Sequence, residues 1–122
     1  MGEDSHRGSF VAVIGGTTRV RLVVVDGDSM RPGLLPGDRL LVLRRRPRVG
    51  DVVALRDPRD PHRIMVKRVA DVGIDGIEVR GDNAPASTDS RAFGSVPPSL
   101  VLGRVVYRYA PAARAGRVQR YR

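Results

Sequence analysis

Arg63-Ile64-Met65-Val66-Lys67-Arg68-Val69-Ala70-Asp71-Val72, then Gly73-Ile74-Asp75-Gly76, then Ile77-Glu78-Val79-Arg80, is the stretch that decides the fold. Its first run is the longest strand candidate in the chain. It is rich in branched side chains, which fit a pleated surface. Asp75-Gly76 is a dipeptide of type I′ turns, whose central residues need positive φ. The stretch therefore predicts an antiparallel hairpin of 63–72 with 77–80. Outward from it, Phe10–Ile14, Arg19–Val25, Arg39–Leu43, Val52–Arg56 and Leu100–Tyr109 read as further strands. Asp26-Gly27-Asp28, Pro32-Gly33, Pro36-Gly37-Asp38 and Val49-Gly50-Asp51 punctuate them as turns. Asp57-Pro58-Arg59-Asp60-Pro61 reads as a polar hairpin loop, and Gly81–Ser99 as a long loop. There is no internal repeat and no amphipathic helix. The expected fold is all-β, mainly antiparallel, in a single compact domain.

Composition agrees. In 122 residues there are 14 Gly and 9 Pro, which suits short strands joined by turns. Aromatic residues make up only 4 %, so the core must be branched aliphatic. The chain has no Cys, which excludes disulfides, thiolate metal sites and a cysteine nucleophile. The formal net charge is +9. Its Arg residues are spread along the chain, with clusters at Arg44–Arg46 and in the tail. No helix carries a basic stripe and no aromatics interleave with the charge, so no nucleic-acid partner is expected. A solvated basic surface is the plain reading, with peripheral membrane contact as the alternative. Polar residues 15–19 and Arg21 separate the apolar runs 10–14 and 22–25. A membrane span needs about 20 apolar residues, so no transmembrane segment is expected. Met1–Ser9 is polar and lacks the pattern of a secretory signal. The expected organisation is a disordered leader at 1–9, a single folded domain at 10–110 and a basic tail at 111–122. The expected location is cytoplasmic.

Three segments carry candidate chemistry: Gly27-Asp28-Ser29-Met30-Arg31-Pro32, Met65-Val66-Lys67-Arg68-Val69, and Gly81-Asp82-Asn83 through Asp89-Ser90-Arg91. A serine hydroxyl is a weak nucleophile and needs a base. The two His are poorly placed for that: His6 lies in the leader and His62 in a proline-flanked loop. Lys67 is the only lysine in the chain. Every other basic side chain is Arg, which stays charged near neutrality and cannot take a proton. On a strand, Lys67 shares a face with Met65 and Val69. Holding a lysine neutral at pH 7 works against a free value near 10.4, a difference of about 4–5 kcal/mol. Burial among apolar neighbours can supply it. Asp57, Asp60 and His62 read as a polar loop rather than a metal site. No metal and no cofactor is expected.

In their order and wording these segments resemble the S26 signal peptidase family, which uses a Ser–Lys dyad. The family box Ser-Met-x-Pro-Thr is matched by Ser29-Met30-Arg31-Pro32, with Gly33 in place of Thr. The lysine box is matched by Val66-Lys67-Arg68-Val69. The last box is matched by Gly81-Asp82-Asn83, Ser87, Asp89-Ser90-Arg91 and Gly94. The resemblance implies a signal-peptidase/LexA-like β-ribbon fold and a serine endopeptidase. It assigns Ser29 as nucleophile, with its own backbone N–H in the oxyanion hole, and Lys67 as general base. Ser87 would orient the amine, Asp89 and Arg91 would brace the loop, and Met30 would lie beside the substrate pocket. Asp71–Gly76 departs from the Gly-x-Pro-Gly-Asp that usually follows the lysine box, and Gly27 offers no second oxyanion hydroxyl. A short, unanchored member is similar to the group that matures nickel-type superoxide dismutase. That implies a protein precursor as substrate, a nickel superoxide dismutase precursor, with the nickel belonging to the substrate. One alternative is a signal peptidase whose anchor is missing or removed. Another is a non-enzymatic basic β-domain that binds nucleic acid or acidic protein. A self-cleaving LexA-type arrangement would need a DNA-binding domain ahead of Ser29.

Overall fold

The computed structural model describes residues 10–120. The leader expected at 1–9 and the last two residues of the tail lie outside the described residues. Eight strands follow in chain order: β1 (Phe10–Gly16), β2 (Val20–Asp26), β3 (Arg39–Leu43), β4 (Val52–Asp57), β5 (Asp60–Val72), β6 (Ile77–Arg80), β7 (Val101–Ala110) and β8 (Gly116–Arg117). One short α-helix, α1 (Ser90–Phe93), lies between β6 and β7, flanked by 3-10 turns at Ala84–Ala86 and Pro98–Leu100. All strand pairings are antiparallel, in the order β1-β2-β3-β7-β4-β5-β6, with β8 beside β7. Val11 of β1 also pairs with Ile64 of β5. That contact closes β1, β2, β3, β7, β4 and β5 into a barrel and covers edges that would otherwise invite pairing with another chain.

Alternation decides which side chains fill the barrel. Val23 and Val25 of β2, Leu40 and Val42 of β3, Val52 and Ala54 of β4, Val66 of β5 and Val105 of β7 form its buried interior. β4 shows no alternation in burial, because its other face is covered too. Val53 and Leu55 join Met65, Val69, Ile77, Val79 and Val96 in a second core outside the barrel. A strand buried on both faces reads as a continuous apolar run, and Val52-Val53-Ala54-Leu55 is one.

Two turns of one design set the entries to β3 and β4. In Leu35-Pro36-Gly37-Asp38 and Arg48-Val49-Gly50-Asp51, the Asp N–H donates to the carbonyl three residues back, at 3.0 Å in both. The glycines have φ of +90° and +91°, the value that position of a type II turn requires. Each Asp carboxylate then accepts the N–H of the turn's first residue, at 2.9 Å from Leu35 and 2.8 Å from Arg48. Asp38 is fully buried and also pairs with Arg108 (3.2 Å) and with Arg114. Arg108 in turn donates to the Gly33 carbonyl at 2.6 Å, tying the loop after β2 to β7.

The all-β expectation holds, with four local differences. The β4–β5 hairpin turns on Pro58 and Arg59 alone. The Asp57 carboxylate accepts the Arg59 N–H at 2.8 Å, which tightens that turn. The β5–β6 connection is not a type I′ turn at Asp75-Gly76. Among the described residues none other than glycine has positive φ, and Gly73 N–H donates to the Gly76 carbonyl at 2.8 Å across a four-residue loop. The 81–99 segment contains α1, capped where Asp89 accepts the Arg91 N–H. The tail contributes β8, two residues too short to show a period.

Asp38→Ala removes a buried carboxylate with three partners and should destabilise the fold by about 2–3 kcal/mol. Asp28→Ala removes an ion pair with Arg31 whose side chains are both 49 % exposed, and should cost under about 1 kcal/mol. Urea denaturation midpoints of the two variants check the contrast.

Candidate active site

β5 carries Lys67 opposite Val53 of β4. The strand's alternation places it between Met65 and Val69, on the face of the second core. The lysine is fully buried. Its Nζ donates to Ser87 Oγ at 2.8 Å. Burial pushes the amine down from its ordinary 10.5 to about 8; the charges of Asp89 and Asp57 oppose this, and those of Arg59 and Arg91 favour it. A substantial neutral fraction at mildly alkaline pH follows.

Ser87 is held in turn by Asp89. The hydroxyl donates to Asp89 Oδ2 at 3.0 Å, so it can accept from Lys67 while donating onward. The same carboxylate accepts the Gly81 N–H (3.0 Å), the Arg91 N–H (3.1 Å), Arg91 Nε (2.9 Å) and Arg91 Nη2 (2.7 Å). Burial alone would raise the Asp89 carboxyl. Those hydrogen bonds from Arg91, Gly81 and Ser87 outweigh it and hold the group well below the usual carboxylate range. Asp89 is therefore a fixed negative charge whose proton-accepting capacity is fully engaged.

Ser29 lies in the loop after β2 and is 5 % exposed. The loop is pinned to residues 81–83. Asn83 N–H donates to the Ser29 carbonyl at 2.8 Å, and Asn83 Nδ2 donates to the Asp28 carbonyl at 3.0 Å. Asp82 N–H faces Met30 Sδ at 3.4 Å, and Met30 is buried in the barrel interior. Gly81 sits between the two serines. A Cβ there would collide with Ser87 Oγ and lie 2.8 Å from the Ser29 carbonyl oxygen. Hydrogen bonds thus join Lys67, Ser87, Asp89 and Arg91 directly, while Ser29 reaches them through the 81–83 backbone. No hydrogen bond of the described residues links Ser29 Oγ to Lys67 Nζ.

Two side-chain pairs complete the surroundings, and sequence reasoning gave neither a role. Asp57 and Arg59 form a second Asp-x-Arg clasp, with Oδ2 to Nη2 at 2.8 Å and Oδ1 to Nε at 3.0 Å. Arg59 also lies over the Phe93 ring, 5.4 Å from its centroid, and so links the β4–β5 turn to α1. Arg68 is next to Lys67 but on the opposite face of β5. It grips Asp82 at 3.1 and 2.7 Å and anchors the segment that pins Ser29. The repeat of the Asp-x-Arg wording at 57–59 and 89–91 was a signal available in the sequence.

Two variants test this geometry. Lys67→Met replaces a buried amine by an apolar side chain of similar length. Below pH 8 the native amine is charged and buried, so the variant should be more stable than the parent at pH 7 by about 2–3 kcal/mol. Between pH 8 and 10.5 the native state releases its proton before the unfolded state does. The parent's stability then rises and the gap closes, which urea denaturation at both ends of that window measures. Gly81→Ala forces the two serines apart. It should lower kcat/KM by about 100-fold with circular dichroism unchanged.

Comparison with known proteins adds the family. The family described as signal peptidase, peptidase S26, matches residues 8–83, a span that includes Ser29 and Lys67. The chain is 37 % identical to the mitochondrial ATP-independent inner membrane protease subunit 1a of Arabidopsis thaliana, over 71 % of this chain and 68 % of that one. It is 31 % identical to the mitochondrial inner membrane protease subunit 2 of Schizosaccharomyces pombe, over 81 % and 69 %. It is 30 % identical to the subunit 2 of Danio rerio, over 92 % and 78 %. These matches overturn the expected cytoplasmic location, because the relatives are by name proteases of an inner membrane. Net charge and the lack of a long apolar run do not report where a chain works. With the family model covering more than half of its length, this chain belongs to the S26 signal peptidase family and is a serine peptidase.

Proposed function

We propose that Ser29 and Lys67 are the catalytic dyad of an endopeptidase that removes N-terminal leader peptides from precursor proteins at a membrane. The observation that carries the reading is the fully buried Lys67 amine, lowered to about 8 and hydrogen-bonded to Ser87. In the neutral form it accepts the Ser29 Oγ proton as the oxygen attacks the scissile carbonyl. The Ser29 N–H makes no hydrogen bond among the described residues and is assigned to the developing oxyanion. The Lys67 ammonium then returns the proton to the leaving amine. A water that gives its proton to Lys67 releases the acyl group in the second half of the reaction. Ser87 orients the amine, and Asp89 with Arg91 holds Ser87. By the motif resemblance Met30 lies beside the substrate pocket.

The membrane setting rests on the names of the relatives, subunits of mitochondrial inner membrane proteases. Among the described residues no helix is long and apolar enough to cross a membrane. A nickel superoxide dismutase precursor is a candidate substrate on the motif resemblance alone; the relatives are named as proteases of an inner membrane, and a precursor met at a membrane is the other candidate.

The test pairs a variant with two substrates. The chain is incubated with a membrane-targeted precursor and, separately, with a nickel superoxide dismutase precursor, and new N-termini are read by mass spectrometry. A single internal cut near one leader's end supports the reading and selects the substrate. Ser29→Ala should lower that cleavage by more than about 10⁴-fold with the fold retained. The parent's kcat/KM should rise with pH and level off above about 8, as Lys67 loses its proton. Full activity in Ser29→Ala, or a flat profile from about pH 6 to 9, would remove the dyad assignment.

A further inference from the structure

A cavity of about 530 Å³ opens beside β3, β4, β7 and β8, and it shares no residue with the proposed catalytic cluster. Among its lining residues are Arg45, Arg48, Arg104, Arg117 and Arg120, and the lone carboxylate is Asp51. The elements that bring them together are distant in sequence: the β3–β4 turn, β7 and the segment from β8 onward. Its size lies in the usual range for small-ligand sites.

The charge in this cavity is not balanced from within. Asp51 is shared at long range by Arg48 Nε (3.5 Å), Arg104 Nη1 (3.8 Å) and Arg120 Nε (3.8 Å). Its shorter hydrogen bond, 2.8 Å, is to the Arg48 backbone N–H, the turn contact described above. Arg45 and Arg117 form no ion pair among the described residues. Arg104 is only 18 % exposed at its side chain, and its buried Nε has no hydrogen-bond partner among the described residues. A guanidinium left short of acceptors gains most from a charged one. Several guanidiniums converging from different strands suit a tetrahedral, multiply charged oxyanion better than a carboxylate, which one or two of them would satisfy.

We propose that this cavity binds a phosphate-bearing anion, either the headgroup of an anionic lipid or a free phosphate compound. Binding there would hold the chain through β7 and the β3–β4 turn, leaving the Ser29 loop outside the contact. The proposal does not depend on the dyad assignment, and its readout is binding rather than cleavage.

The full chain is titrated with pyrophosphate by calorimetry and, in a second arm, co-sedimented with phosphatidylcholine vesicles with and without phosphatidylglycerol. Three proteins are compared: the parent, Arg45→Gln/Arg117→Gln in the cavity, and Arg19→Gln/Arg39→Gln, which makes the same charge change at exposed sites elsewhere. The cavity pair should bind at least about tenfold more weakly than the parent, and the control pair within about twofold of it. That contrast in the pyrophosphate arm assigns a free phosphate compound; in the vesicle arm alone it assigns a lipid headgroup. Equal weakening of both double variants would mean that net charge alone drives binding, and the site would be rejected. Absence of parent binding in both arms would reject it too. Matching melting temperatures of the three proteins establish that they are equally folded.

Discussion

The Lys67 amine has no exposed surface and lies in an apolar layer, where it donates a hydrogen bond to Ser87 Oγ at 2.8 Å. A cation in that position opposes folding, and the surrounding architecture is what makes it tolerable. β4 and the middle of β5, Met65 to Lys67, are covered on both faces, so the fold needs a second apolar core besides the barrel interior. The chain from Gly81 to Val96 supplies its outer cover, with Val96 packed inside it and Ser90 Oγ accepting the Val79 N–H at 2.8 Å. Two Asp-x-Arg clasps, 57–59 and 89–91, act on the lysine with opposing signs. Their carboxylates favour the ammonium and their guanidiniums disfavour it. Burial is the largest influence, and the amine settles near 8. An Arg at this position would stay charged in the same layer and offer no proton-accepting atom.

The second dependence is on the 81–83 segment, which couples the two halves of the proposed site. Its backbone N–H groups touch both: Gly81 donates to Asp89, and Asn83 to the carbonyl of Ser29. Asp82 is clamped to Arg68, one residue from Lys67 and on the other side of the strand. Movement of this segment therefore changes the spacing of Ser29 and Ser87 together. The absence of a side chain at Gly81 is a steric requirement of that arrangement, since the neighbouring serines occupy the space.

Much of this was legible in the residues. The apolar alternation around Lys67, its status as the sole lysine and the turn wording at 36–38 and 49–51 each had a direct physical reading. The barrel closure was not, because it rests on a single pair, Val11 with Ile64, between strands that are far apart in the chain. The type of the β5–β6 turn was misread because Asp75-Gly76 fits a two-residue loop locally, while the ladder ends at Val72 with Ile77 and all four residues 73–76 form the loop, closed by Gly73 N–H to the Gly76 carbonyl. Asp57 and Arg59 were passed over as loop polarity, since their importance comes from α1 folding back to place Phe93 under the guanidinium. Location was not encoded in any feature that was read.

Because Lys67 is the only lysine, protein labelled with ¹³C-lysine gives one side-chain signal, and its Cε shift followed against pH reports the amine directly. The account predicts a titration midpoint near 8. A midpoint at or above the ordinary 10.5 would show an amine that stays charged through the working range, and would contradict a lysine base in this site.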